Sequence, residues 1–210
     1  MRAVPWLIAI VVIAGICWLF PLFHVVPLQT ANAAKAAATF NATQFAETFW
    51  TSQLLSSLDK TVKAEVLLTA VQSDPGAAKK KFSRSVGLSD SYLYFVSGTG
   101  RVVAVSDDTV LLAVTEGSTN AEVSLQSGLI FGDAVRDGTG LLNASAYPNS
   151  QDFNDISAAL NQIVETRVLP DLRQQAKVGA RISFAGCAEV SDESSDLKPL
   201  KVIPIQTKAE

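Results

Sequence analysis

The chain is poor in the residues that hold metals and move protons. Its 210 residues include one histidine and two cysteines. The histidine, His24, lies in an apolar N-terminal run; Cys17 lies in the same run and Cys187 in a strand-like stretch near the other end. Without a second histidine or a close cysteine pair, a zinc site finds no ligands. A serine–histidine–acid device would have to use His24 itself, at the end of the apolar run. Cys17 and Cys187 should not meet, so the domain is expected to fold without a disulfide, with Cys187 as a small core residue. Positive charge is not in excess either: 17 Lys and Arg stand against 20 Asp and Glu. A phosphate backbone needs a basic field, so nucleic acid is excluded as a partner. No catalytic residue, metal or cofactor is assigned from these residues.

What the chain does have is a lopsided layout. Ala3 to Leu28 is apolar, with Arg2 before it and Lys35 as the first charge after it. At roughly 1.5 Å per residue such a run spans a hydrocarbon layer of roughly 30 Å, and the basic flank should stay in the cytoplasm. Three fates compete for it. A retained single transmembrane helix fits its length. A cleaved signal fits a shorter core ending at Pro21, with Ala31-Asn32-Ala33 as the cleavage site. Lipid attachment would use Cys17, although Ile16 is not the small residue usual before a lipidated cysteine. Length favours the anchor. The expected organisation is an anchor or signal over 1–28, a spacer over 29–39, a helical segment over 40–86 and a barrel domain over 87–210. The location that follows is the cytoplasmic membrane, with the soluble part outside it.

Asn41 followed by Gln44 resembles a capping box and opens a helix whose apolar face runs Phe45, Phe49, Leu54, Leu55, Leu58, Val62, Val66 and Leu67. Asp74-Pro75-Gly76 stops it and caps a short helix to Phe82, whose Lys79, Lys80 and Lys81 read as a solvated face. The period then changes to two. Ser91 to Ser106, Thr109 to Thr115 and Ala121 to Phe131 read as a three-strand meander; Gly98 and Gly100 mark a bend in the first. Gly132 to Gln151 reads as a loop. Asp152 or Asn154 is expected to cap a helix with Ile156, Leu160, Ile163, Val164 and Val168 on one face, ended or kinked at Pro170. Ala180 to Val190 and Leu200 to Ile205 are the last strands, with Pro204 suggesting an edge. The order β-β-β-α-β-β predicts an α+β fold built on a five-stranded OB-like barrel.

Several strings, in order, resemble the DUF2291 family of predicted periplasmic lipoproteins: Phe40-Asn41-Ala42-Thr43-Gln44-Phe45 through Trp50, Asp74-Pro75-Gly76-Ala77-Ala78-Lys79-Lys80, Gly98-Thr99-Gly100-Arg101-Val102, Gly132-Asp133-Ala134-Val135-Arg136-Asp137, and Asp152-Phe153-Asn154 with Leu160-Asn161. The resemblance implies an OB-like barrel with a helical N-terminal part. It also implies an envelope protein, often encoded beside sugar-uptake ABC transporters, with no known activity.

Candidate contacts to a ligand or partner are Arg136, Asp137, Asn161, Tyr92 and Tyr94. Arg136 offers a planar fork for carboxylate, phosphate or sugar hydroxyls, and Asp137 accepts from hydroxyls or orients the arginine. The competing reading is an internal ion pair pinning the loop. Asn161 sits where it could reach the same place. Tyr92 and Tyr94 share a strand face and could stack on sugar rings, or could simply be core. The expected function is a non-enzymatic, membrane-tethered binding or accessory protein that serves sugar uptake, with a transporter component, a solute-binding protein or a sugar as partner. The alternatives are a structural envelope protein that docks partners on its barrel, and a hydrolase built on Asp137, Asp152 and Asp155.

Overall fold

The computed structural model describes residues 40–85, 90–142 and 150–210. The expected anchor with Cys17 and His24, the spacer, and part of the Gly132–Gln151 loop lie outside the described residues. So does the expected boundary between helical segment and barrel. Among the described residues no helix is long and apolar enough to cross a membrane.

Helix α1 (Ala42–Phe49) starts where expected: the Asn41 side chain accepts from the backbone N–H of Gln44 at 2.9 Å. It runs on through a π turn (Trp50–Leu54) and a 3₁₀ turn (Leu55–Lys60). The expected continuation to Leu67 does not occur. Thr61 turns extended, and β1 (Val62–Lys63) pairs in parallel with the strand that follows later in the chain, before α2 (Ala64–Ser73) begins. Val62 therefore leaves the helical face, and Val66 is exposed. Two β-branched residues, Thr61 and Val62, at the exit of a turn favour this extended step. Helix α3 (Pro75–Phe82) is capped by Asp74, which accepts from Ala77 N–H at 2.9 Å, and β2 (Arg84–Ser85) follows.

The remaining strands are β3 (Tyr92–Val105), β4 (Thr109–Ala113), β5 (Val123–Gln126), β6 (Arg181–Val190) and β7 (Leu200–Ala209). Between β5 and β6 lie α4 (Ala134–Asp137) and α5 (Ser150–Ile163), then a π turn (Val164–Val168) leading into α6 (Leu169–Gln175). Helix α7 (Glu193–Asp196) separates β6 from β7. The expected strand and helix order is thus observed. Pairing runs β3–β4–β5–β7–β6 and returns from β6 to β3. Within this path the contacts are antiparallel except β5–β7, a parallel seam over Val123–Leu125 and Leu200–Val202. The path closes into a ring.

Three expectations change in detail. The third strand stops at Gln126 rather than Phe131, and Leu129 and Phe131 are exposed. Helix α5 already includes Ser150, so Asp152 and Asn154 lie inside it rather than capping it. Strand β7 is not an edge, since it pairs with β5 through Val202 and with β6 onward. Pro204 is tolerated because the β5 pairing has ended before it and the β6 register shifts beside it, opposite Gly186. Pro170 stands in the first turn of α6, where its missing N–H costs little.

Glycines let the backbones approach. A Cβ on Gly100 would lie 2.9 Å from the Leu112 Cβ, and one on Gly186 would collide with the Ile203 carbonyl oxygen. Gly186→Ala should therefore lower stability by about 2–3 kcal/mol, the scale of overpacking. Gly76→Ala, inside α3 with only Asp74 near, should raise it by about 0.5–1 kcal/mol through helix propensity. Urea unfolding followed by circular dichroism measures both; equal shifts for the two would show that the Gly186 contact is not limiting.

Candidate functional site

Arg136 and Asp137 sit side by side in α4, and both are buried, at 5% and 6% exposure. The guanidinium binds the carboxylate in a bidentate fork: Nε donates to Oδ1 at 2.7 Å and Nη2 to Oδ2 at 2.6 Å. Nη1 donates to the Ser157 hydroxyl at 2.8 Å and to the Phe153 carbonyl at 3.3 Å, and stands 3.2 Å from Asp133 Oδ1. Ser157 in turn donates to Asp133 at 2.8 Å, and the Phe153 ring lies 3.7 Å below the guanidinium carbon. Arg136 thus fixes α4 and the Asp133 turn onto α5. Both oxygens of Asp137 accept from this fork, and the carboxylate is buried with it. Asp155, by contrast, is exposed and accepts from Gln151 at 2.7 Å.

Asn161 is buried as well, and its amide donates to the Gly132 carbonyl at 3.0 Å. It reaches the loop as expected, but as a clamp. Tyr92 and Tyr94 are 3% and 1% exposed and pack edge to face at 5.4 Å between ring centroids. Neither ring is offered to a ligand, and the stacking role is withdrawn. The reason is that Tyr92–Val96 is buried on both faces of β3. The Tyr92 hydroxyl donates to Glu193 at 2.9 Å, and the Lys79 ammonium sits 4.1 Å from its ring. Burial first, then the Glu193 carboxylate, push the Tyr92 phenol well above its ordinary pKa. The Tyr94 phenol is also raised by burial, and its hydroxyl has no hydrogen-bond partner of good geometry. Cys187 is buried and free; burial, then Asp137, raise its pKa and keep it an inert thiol. In the acidic turn, burial opposes the charge of Asp196. The N–H groups of Asp192 and Ser191 and the Lys201 ammonium nevertheless hold its pKa down to about 2. Among the described residues no group of three acids, histidines or cysteines is placed to hold a metal.

The polar cleft is elsewhere, and sequence reasoning missed it. It has a volume of about 470 Å³ and opens where β1 leaves β3. The strand register puts Ser97 beside Ala185 and Gln206, and Thr99 beside Ser183 and Lys208, all on one sheet face. The segment Leu58–Lys63 forms the wall, bringing Asp59, Thr61 and Lys63. Thr61 Oγ1 is 2.8 Å from both the Leu58 carbonyl and the Ser97 hydroxyl. One proton cannot serve both, so the Thr61–Ser97 pair holds an uncommitted lone pair or proton at the cleft. The alternating Ser97-x-Thr99 and Gln206-x-Lys208 were visible signals of a polar face. Their adjacency was not, because these strands are distant in sequence.

The model of the DUF2291 family, described as predicted periplasmic lipoproteins, matches residues 7–208. The chain belongs to that family. Its members are assigned to the cell envelope, and the function of the family is unknown. A crystal structure of an OB-fold protein from Thermotoga maritima is similar, with a TM-score of 0.73 and 24% identity. The match covers 82% of this chain and 99% of that one. That likeness shows the fold: an α+β chain of the OB type, in agreement with the ring of pairings. No curated protein matches.

Two substitutions test the reading of these groups. Arg136→Ala should cost on the order of 3–5 kcal/mol, because it strands the Asp137 carboxylate in the interior. Arg136→Lys should recover only part of this, since a point charge cannot form the fork. A loss below about 1 kcal/mol in thermal melts would show the cluster to be solvated. Tyr94→Phe should be neutral or stabilising by up to about 1 kcal/mol, because it removes an unpaired hydroxyl, whereas Tyr92→Phe should cost roughly 0.5–1 kcal/mol through the lost bond to Glu193. The reverse order of midpoints would contradict the assigned hydrogen bonds.

Proposed function

We propose that this chain is a non-enzymatic binding protein, tethered to the membrane and facing the outside of the cytoplasm, whose ligand is a small polyhydroxylated molecule of the sugar class. The observation that carries the reading is the floor of the cleft: three hydroxyl side chains and an amide on one sheet face, with Asp59, Lys63 and Lys208 around them. Hydroxyls and amides both donate and accept, which matches the repeating donor–acceptor pattern of a polyol. Charged partners strengthen such bonds. The volume lies in the range of small-molecule sites. The hydrolase alternative loses Asp137 to its fork with Arg136.

A role beside a sugar transporter gives such a site a purpose: it would hold solute near an uptake system or sense its presence. The five-stranded ring then acts as a barrel that carries the cleft on its outer wall. The tether is the Ala3–Leu28 segment. The family's description as lipoproteins favours a lipid on Cys17, and the apolar length favours a retained span; intact mass of the membrane-extracted protein separates a lipidated, shortened chain from the full one.

Calorimetry of the full-length chain in detergent against a panel of pentoses, hexoses and disaccharides tests the ligand. At least one should bind, and Asp59→Ala and Lys208→Ala, both at exposed positions, should each weaken it about tenfold, the loss of one charge-assisted bond. No heat with any sugar, or heat indifferent to both substitutions, would remove this reading.

A further inference from the structure

The loop after β5 displays two large apolar side chains on a backbone that is bolted in place. Leu129 and Phe131 are 73% and 76% exposed, while Ile130 between them is buried. A loop that merely failed to pack would be expected to lack fixed backbone bonds. This one is held along its length. The N–H groups of Ser127 and Gly128 donate to the Asp108 carbonyl at 2.7 and 3.2 Å. Arg173 Nε donates to the Ser127 carbonyl at 2.9 Å. Ile130 N–H donates to Glu165 at 2.8 Å, and Asn161 donates to the Gly132 carbonyl at 3.0 Å. The Arg136 cluster fixes the next turn through Asp133. Ordering the backbone in advance removes an entropic cost of binding, and exposed apolar anchors on a rigid frame are what a partner can grip.

The surroundings say which partner. A shallow hollow lies on each side of the loop. One holds Asp107 and Asp108 beside Leu129; the other holds Asp133 and Glu165 beside Phe131. Among the described residues the one cation lining either hollow, Arg173, donates to the Ser127 carbonyl. Arg136 is buried and divided between Asp133 and Asp137, so that group stays net negative. An anionic lipid surface is disfavoured by these carboxylates. A two-fold contact with a second copy would set the same acids against themselves.

We propose that the Leu129–Phe131 loop is a docking site for a protein segment that presents apolar side chains bordered by lysine or arginine. The apolar residues cover Leu129 and Phe131, and the cations sit over the two hollows. This surface is separate in composition from the hydroxyl-lined cleft, so the two can be tested apart.

The probe is a random peptide library displayed on phage, selected against the full-length chain in detergent. Enriched peptides should combine aromatic or aliphatic residues with Lys or Arg. The peptide that binds most tightly should lose at least about tenfold in affinity to the Leu129→Ser/Phe131→Ser double variant, as truncated interface anchors do. Asp107→Lys should weaken it severalfold, mainly in association rate, and added salt should act in the same direction. The melting temperature of each variant should stay that of the parent, since all three positions are exposed. Lys208→Ala, in the cleft, should leave peptide binding unchanged. Enrichment without a basic bias, binding indifferent to the double variant, or no enrichment at all overturns the proposal. So does concentration-dependent self-association, or adsorption to anionic vesicles, that the double variant abolishes, because either would name a different occupant.

Discussion

Strand β3 must serve two neighbours, and the rest of the molecule is arranged around that demand. It gives one edge to β6 from Tyr92 to Arg101, and the other to β4 from Arg101 to Val105. Arg101 is the hinge of this exchange, paired with both Arg181 and Ala113. The crossover needs a backbone without side chains. Gly98 leaves room for the Phe184 ring and Ala64, and Gly100 lets Leu112 and Val114 come close. Without that bend the β4–β5 hairpin could not carry β5 to its short parallel seam with β7. The ring would open, and an open sheet of this length would expose unpaired N–H and carbonyl groups.

The edge of β3 that β6 does not use is covered in pieces. Strand β2 takes Tyr92–Leu93 and β1 takes Val96–Ser97 before β4 arrives. These two-residue strands tie the N-terminal helical part to the sheet, so that Asn41–Glu210 is one compact unit. The polar cleft is a by-product of the same tie: it lies where the Leu58–Lys63 wall departs from β3. Helix α1 meanwhile packs chiefly on α5, and its Glu47 pairs with Arg167 in the π turn that follows α5. Trp50, in the π turn that follows α1, is buried.

Four polar or charged side chains of the loop and of α5 turned inward. Arg136, Asp137, Asn161 and Ser157 are all buried and all hydrogen-bonded. A buried fork of this kind is weak evidence for stability, because desolvation offsets much of the attraction, but it specifies one arrangement of α4 against α5. Two apolar residues nearby, Leu129 and Phe131, turned outward, while Ile130 between them is buried. The chain spends polar groups to hold a loop whose exposed surface is greasy. That inversion is the opposite of what side-chain hydropathy would assign.

By itself the sequence determined the type and order of the main elements, though not the break at β1 or the helix α4 within the expected loop. The caps at Asn41 and Asp74, the glycine-marked bend in the first long strand, the meander and the helix between the third and fourth strands were all legible, because caps, turns and periodicity act within a few residues. The family strings were legible for the same reason. The facing of side chains was decided only by the tertiary structure. Alternation tells which residues share a face, but Tyr92 to Val96 is covered on both faces, so it could not say that both tyrosines are core. Nor could it set Ser97, Thr99, Ser183, Gln206 and Lys208 side by side, since their adjacency comes from a ring closed between strands about a hundred residues apart. Long-range pairing is fixed by packing of the whole core, and no local window of residues contains it.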